Sequence, residues 1–137
     1  MTLTEFINKA RDKEANKIKA IVLKVEDFGE VDFTRPNREE LINYTQVIMD
    51  MVNETGLEEN QNNFDYGELA KQSSKFVYNC CPLIREKEIR DMYRENEFEE
   101  IPEIIFGTNE VIRLAGELFN IFSGTKALEK RVNDIKN

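Results

Sequence analysis

Apolar residues change their spacing at Pro36, and that change limits the folds open to this chain. Before it, the segment Lys17 to Val25 follows a period of two. Ile18, Ala20 and Val22 fall on one side of an extended backbone, and Ile21, Leu23 and Val25 fall on the other. β-Branched residues are concentrated there, which is the signature of a strand. Asp27-Phe28-Gly29 supplies turn chemistry and Glu30 to Thr34 alternates again, so the two stretches together predict a β-hairpin.

Helical spacing surrounds that hairpin. Leu3, Phe6, Ile7 and Ala10 mark a short amphipathic helix over residues 3–16. Past Pro36, Asn37 followed by Glu40 forms a capping box, and Leu41, Tyr44, Ile48, Met51 and Val52 share one face up to Gly56. Residues 58–64 are polar and read as a loop. Asp65 with Glu68 opens the next helix, lined by Leu69, Ser73, Phe76, Val77 and Cys80, and Pro82 ends it because the residue before a proline avoids helical geometry. Arg85 to Arg94 is a short helix with Ile89, Met92 and Tyr93 inward, followed by an acidic link over Glu97 to Glu100. Pro102 to Phe106 is another, closed by Gly107. Asn109 to Phe122 carries the strongest stripe (Val111, Ile112, Ala115, Leu118, Phe119 and Phe122), and a last helix from Lys126 carries Leu128, Val132 and Ile135. The expected fold is mainly α (α+β): one domain over residues 1–137, a bundle of about five to six helices with a small N-terminal β-hairpin.

Composition narrows the chemistry. The chain has no histidine, which removes Ser-His-Asp and Cys-His nucleophile pairs and the His-bearing zinc and non-haem iron sites. Its formal charge of −8 argues against nucleic acid, which demands a clustered positive footprint. The longest apolar run, Ala20 to Leu23, is far short of the ~20 residues that span a bilayer, so no membrane association is expected. Met1 to Phe6 has no basic region followed by an apolar stretch, so a cytoplasmic location is expected, with reduced cysteines. Cys80 and Cys81 are adjacent, and their Cα atoms, about 3.8 Å apart, lie below the usual disulfide range.

The catalytic motifs fail on spacing. Gly124-Thr125-Lys126 lacks the upstream glycine of a phosphate loop and follows a helix, so it reads as a helix terminator. An alignment of Gly67 with the glycine of a calcium loop puts Phe64 and Tyr66 at ligand positions. A cysteine phosphatase loop has five residues between Cys and Arg, whereas Cys80 and Arg85 have four between them. The cysteines sit at a helix C-terminus, where the dipole disfavours a thiolate, and read as small core residues. The acidic cluster Glu95, Glu97, Glu99, Glu100 and Glu103 supports one enzymatic alternative, a magnesium-dependent all-helical nucleotide pyrophosphohydrolase built on Glu100 and Glu103. Its later helix offers only Glu110 and Glu117, seven apart. A solvated acidic face, or a docking patch for a basic partner, competes with that reading. No catalytic residue, metal site or cofactor is assigned.

The hairpin carries more information. A lone two-stranded ribbon is marginal in water and must be covered or extended. One face can pack on the helices. The other, with Ile18, Ala20 and Val22, either lies under the N-terminal helix or pairs with a neighbouring chain, as in a homo-oligomer.

These elements resemble a known family. The opening Thr2-Leu3-Thr4-Glu5-Phe6, the hairpin Ile18 to Phe33 and the helix start Pro36-Asn37-Arg38-Glu39-Glu40 match its pattern, as do Phe76 to Pro82, Ile101 to Gly107 and Ile112 to Gly124. The pattern is similar to the tail assembly chaperones of long-tailed phages and defective prophages, in particular the XkdN-like group. The resemblance implies a non-enzymatic protein that binds the long, aggregation-prone tape measure protein while the tail tube polymerises, with the tail tube protein as a further partner. It also implies self-association and, in many members, a longer frameshifted form. A chaperone of this kind needs an apolar groove, placed here between the Asn109–Phe122 helix and the terminal helix, with Leu118, Phe119, Phe122, Leu128 and Val132 as its lining. Tyr44, Tyr66, Tyr78 and Tyr93 are alternative contacts, since tyrosine is enriched at interfaces. A small structural or adaptor subunit of the tail is the remaining alternative.

Overall fold

The computed structural model describes residues 1–55 and 65–124. Helix α1 (Leu3–Ala15) leads into strands β1 (Ala20–Val25) and β2 (Gly29–Thr34). Five helices follow: α2 (Arg38–Thr55), α3 (Tyr66–Cys80), α4 (Lys87–Met92), α5 (Ile101–Phe106) and α6 (Thr108–Phe122), with a 3₁₀ turn over Phe98–Glu100 ahead of α5. The expected mainly helical fold with an N-terminal hairpin is what these residues adopt. The helix and loop expected over residues 126–137 and 58–64 lie outside the described residues.

Local chemistry sets most boundaries. Thr2 accepts a hydrogen bond from the Glu5 amide at the start of α1, Asn37 accepts from Glu40 at α2, and Asp65 accepts from Glu68 at α3. Gly107, at φ +93°, separates α5 from α6, a backbone conformation that a side chain would strain. At the hairpin tip Asp27 and Gly29 both take positive φ, and the Phe28 amide donates to the Val25 carbonyl. The acidic link before α5 is partly the 3₁₀ turn, and α4 is shorter than its sequence signal at both ends.

The strands pair antiparallel, with Leu23 opposite Val31 and Ile21 opposite Phe33. These residues and Val25 form the inner face, and Leu23, Val25, Val31 and Phe33 are buried. The outer face sets Val22 opposite Asp32 and Lys24 opposite Glu30, with Val22 half-exposed at 50 %. Helix α3 is the centre of the helical part: α2, α5 and α6 all pack on it. Phe76 and Val77 of α3, Val111, Leu114, Ala115, Leu118 and Phe122 of α6, and Ile101 of α5 join the inner hairpin face in one core. Tyr44 of α2 stacks on Phe76 with centroids 4.6 Å apart.

One expectation about facing is overturned, and one of the two alternatives for the outer hairpin face is removed. Met92 points outward (69 % exposed) because the six-residue α4 turns Ile89 and Tyr93 toward the core, where both are half-buried. Helix α1 buries none of its residues: Leu3 is 75 % and Phe6 62 % exposed. It does not cover the outer face of the hairpin; its last turns lean instead toward Arg35 and the end of α6, where Ala10, Lys13 and Glu14 share a cleft with Ile18 and Phe122.

Candidate partner-binding site

The hairpin is held along α6 by a polar clamp at each end. Near the tip, Glu110 in the first turn of α6 accepts a hydrogen bond from the Glu26 amide at 2.7 Å. Arg113, one turn on, donates to both Glu110 oxygens at 2.6 and 2.8 Å, to Glu117 at 2.9 Å and to the Lys24 carbonyl. Glu110 is buried, and its bonds with Arg113 hold its carboxyl below the usual range, outweighing the opposing effect of burial. At the open end, Arg35 donates to the Ile18 carbonyl at 2.8 Å and to the Phe122 carbonyl at 2.6 Å, while its guanidinium lies over the Phe122 ring. A cation thus caps the C-terminus of α6, where the dipole favours it.

This clamp fixes where the hairpin tip lies. Phe28 projects from the tip onto Phe106 of α5, edge to face at 5.1 Å. Between the tip, α5 and the stretch after Pro82 lies a groove of about 490 Å³, within the size range of ligand clefts. Val31, Cys81 and Ile84 form its floor, and Phe28, Leu83 and Phe106 its walls. Phe28 and Leu83 are half-exposed, at 52 % and 56 %. Ile89, Ile105, Glu86 and Glu88 complete the lining, which contains no Lys or Arg. The result is an apolar trough with an acidic edge.

The residues expected to bind a partner are placed differently. Leu118 and Phe122 are core residues, 0 % and 1 % exposed, closed over by α3 and the hairpin, so neither lines a surface groove. Phe119 is half-buried and packs edge-on against Tyr44. Leu128 and Val132 lie outside the described residues. Of the tyrosines, Tyr44 is buried and hydrogen-bonded to Ser73, Tyr78 and Tyr93 are half-buried, and exposed Tyr66 donates to Asn109. On the outer hairpin face Ala20 and Val22 are exposed and Ile18 half-buried.

The candidate chemistry also has a definite arrangement. Glu110 and Glu117, the later acids of the hydrolase alternative, both bind Arg113. Glu103 accepts a hydrogen bond from the Thr108 hydroxyl. Among the described residues, no group of three or more His, Cys, Asp or Glu is placed to hold a metal ion. Cys80 and Cys81 are fully buried free thiols, and burial pushes Cys80 well above the ordinary thiol range and raises Cys81 as well. The groove itself was missed by sequence reasoning. Phe28 carries a turn signal in the sequence and Leu83 carries none, and only their exposure together identifies the trough. No family model, characterised protein or solved structure was found to match the chain.

Proposed function

We propose that the protein is a non-enzymatic tail assembly chaperone, acting in the bacterial cytoplasm on the tape measure protein of its own phage or prophage. The observation that supports this reading is the acidic-edged apolar groove beside Phe28, Leu83 and Phe106. An aggregation-prone helix presents an apolar stripe at i, i+3, i+4 spacing, and such a stripe seats in a trough of this kind. The charge of −8 keeps the chaperone soluble while it exposes apolar surface. Among the described residues no helix is long and apolar enough to cross a membrane, in keeping with a partner met in solution.

The test is co-expression with the tape measure protein encoded in the same gene cluster. The expected result is a soluble complex that is lost when Phe28 and Leu83 are both replaced by Glu. A tape measure protein that stays insoluble, with nothing captured by the wild-type chain, would refute the proposal.

A further inference from the structure

We propose that the groove is occupied by helix α1 of a second copy of the chain, so that the protein self-associates by exchanging its N-terminal helices. The inference rests on reading the groove as a helix-binding site, and it adds the identity of the helix that covers the groove until a client displaces it.

Three observations converge. The first is that α1 is a helix without a berth. It has no buried residue, yet Leu3, Phe6, Ile7 and Ala10 form a stripe at i, i+3, i+4, i+7, the anchor spacing of a helix that lies in a groove. Leu3 and Phe6 stay in water, at 75 % and 62 % exposed, so their apolar surface contributes nothing to folding until something covers it.

The second is charge. Residues 1–24 hold six Lys or Arg and three Asp or Glu, a net +3, so the rest of the chain is −11. On α1 the basic residues flank the apolar stripe. Lys9 and Lys13 lie on one side of it and Arg11 on the other, by their angles around the helix. The groove presents the opposite sign, with Glu86 and Glu88 in its lining and Glu26, Asp27 and Glu30 exposed on the adjoining hairpin tip. A basic-flanked apolar helix and an acidic-edged apolar trough are complementary in both respects.

The third is placement. Within one chain α1 leaves from the open end of the hairpin, beside Arg35 and Phe122, whereas the groove lies at the tip. Strand β1 separates the two by six residues, about 20 Å. The chain's own α1 therefore leans on the far end, and a second copy can present its helix to the free groove. If each copy serves the other, the interface is two-fold and both stripes are buried.

The experiment is light scattering on a dilution series, with far-UV circular dichroism as the check on folding. The wild type is expected at twice 16.1 kDa. Two charge-reversed variants, Lys9→Glu/Lys13→Glu and Glu86→Lys/Glu88→Lys, are each expected to be monomeric with unchanged helix content. Mixed in equal amounts they should recover the dimer, because each helix then meets a groove of opposite sign. Phe6→Glu should also be monomeric, and it decides the matter if either charge variant loses helix. Val22→Lys, on the outer hairpin face, should leave the mass unchanged. A monomeric wild type, a dimer untouched by Phe6→Glu, a dimer broken by Val22→Lys, or a mixture that stays monomeric would each overturn the proposal. Client solubility is read separately. A monomeric wild type that still forms the tape measure complex refutes the exchange alone, and a wild-type dimer that forms no complex refutes the client.

Discussion

Ser74 is expected to be the most consequential small side chain in the protein. It is fully buried on α3, and its hydroxyl donates to the Glu99 carbonyl at 2.7 Å while accepting from the Glu103 amide at 3.1 Å. Helix α5 has no side-chain cap of its own, so Ser74 caps it from a different helix and ties the 3₁₀ turn to the core. Ser74→Ala removes only the oxygen, without adding volume. Each lost hydrogen bond costs about 1 kcal/mol and somewhat more where the orphaned group stays dry, giving about 2.5 kcal/mol for the two. Alanine's better helix propensity returns about 0.5 kcal/mol, leaving a net loss of about 2 kcal/mol. With an unfolding entropy of about 2.1 cal/mol/K for each of 137 residues, that lowers Tm by about 7 °C. Ser73→Ala is the internal control. It breaks a single bond, to the Tyr44 hydroxyl at 3.2 Å, and with the same propensity return should cost a net of about 0.7 kcal/mol. Urea titration and thermal melts of both variants provide the measurement. A Ser74→Ala protein within about 0.5 kcal/mol of wild type, or less destabilised than Ser73→Ala, would refute the cross-helix cap.

Three further outcomes follow from the packing. The Glu110 carboxyl is held below its usual range in the folded state, so the folded protein binds fewer protons there than the unfolded chain. Its stabilisation is complete above the unfolded value of about 4.3 and is lost as the pH falls through the folded value, so the gap between wild type and Glu110→Gln in urea titrations should close in acid; a gap that stays constant through that range would count against the clamp. Phe33→Ala, at a fully buried position, should cost about 3–5 kcal/mol by denaturant titration, and less than about 1 kcal/mol would mean the inner hairpin face is not core. Cys80 and Cys81 should react with a thiol reagent only at the rate of unfolding, and rapid labelling of either in native buffer would contradict their burial.

The local sequence determined the elements. Caps at Thr2, Asn37 and Asp65, the break at Pro82, the positive φ of Gly107 and the shift from a period of two to 3.6 are all written within a few residues, and they act over that distance. For that reason the hairpin and the order of helices are legible in the sequence alone. Partnership was not. Leu3 and Ile7 have the same four-residue spacing as Leu118 and Phe122, yet the first pair is exposed and the second is core. Periodicity marks an apolar face without saying whether another element closes it. The clamps that decide this join Glu26 to Glu110 and Arg35 to Phe122, across 84 and 87 residues, and Ser74 reaches α5 from 29 residues away. By aligning the hairpin on α6, those contacts bury its inner face, leave α1 unpartnered and bring Phe28 to Leu83 and Phe106. The tertiary structure decided where the groove lies because a groove is made of residues that no local spacing rule relates.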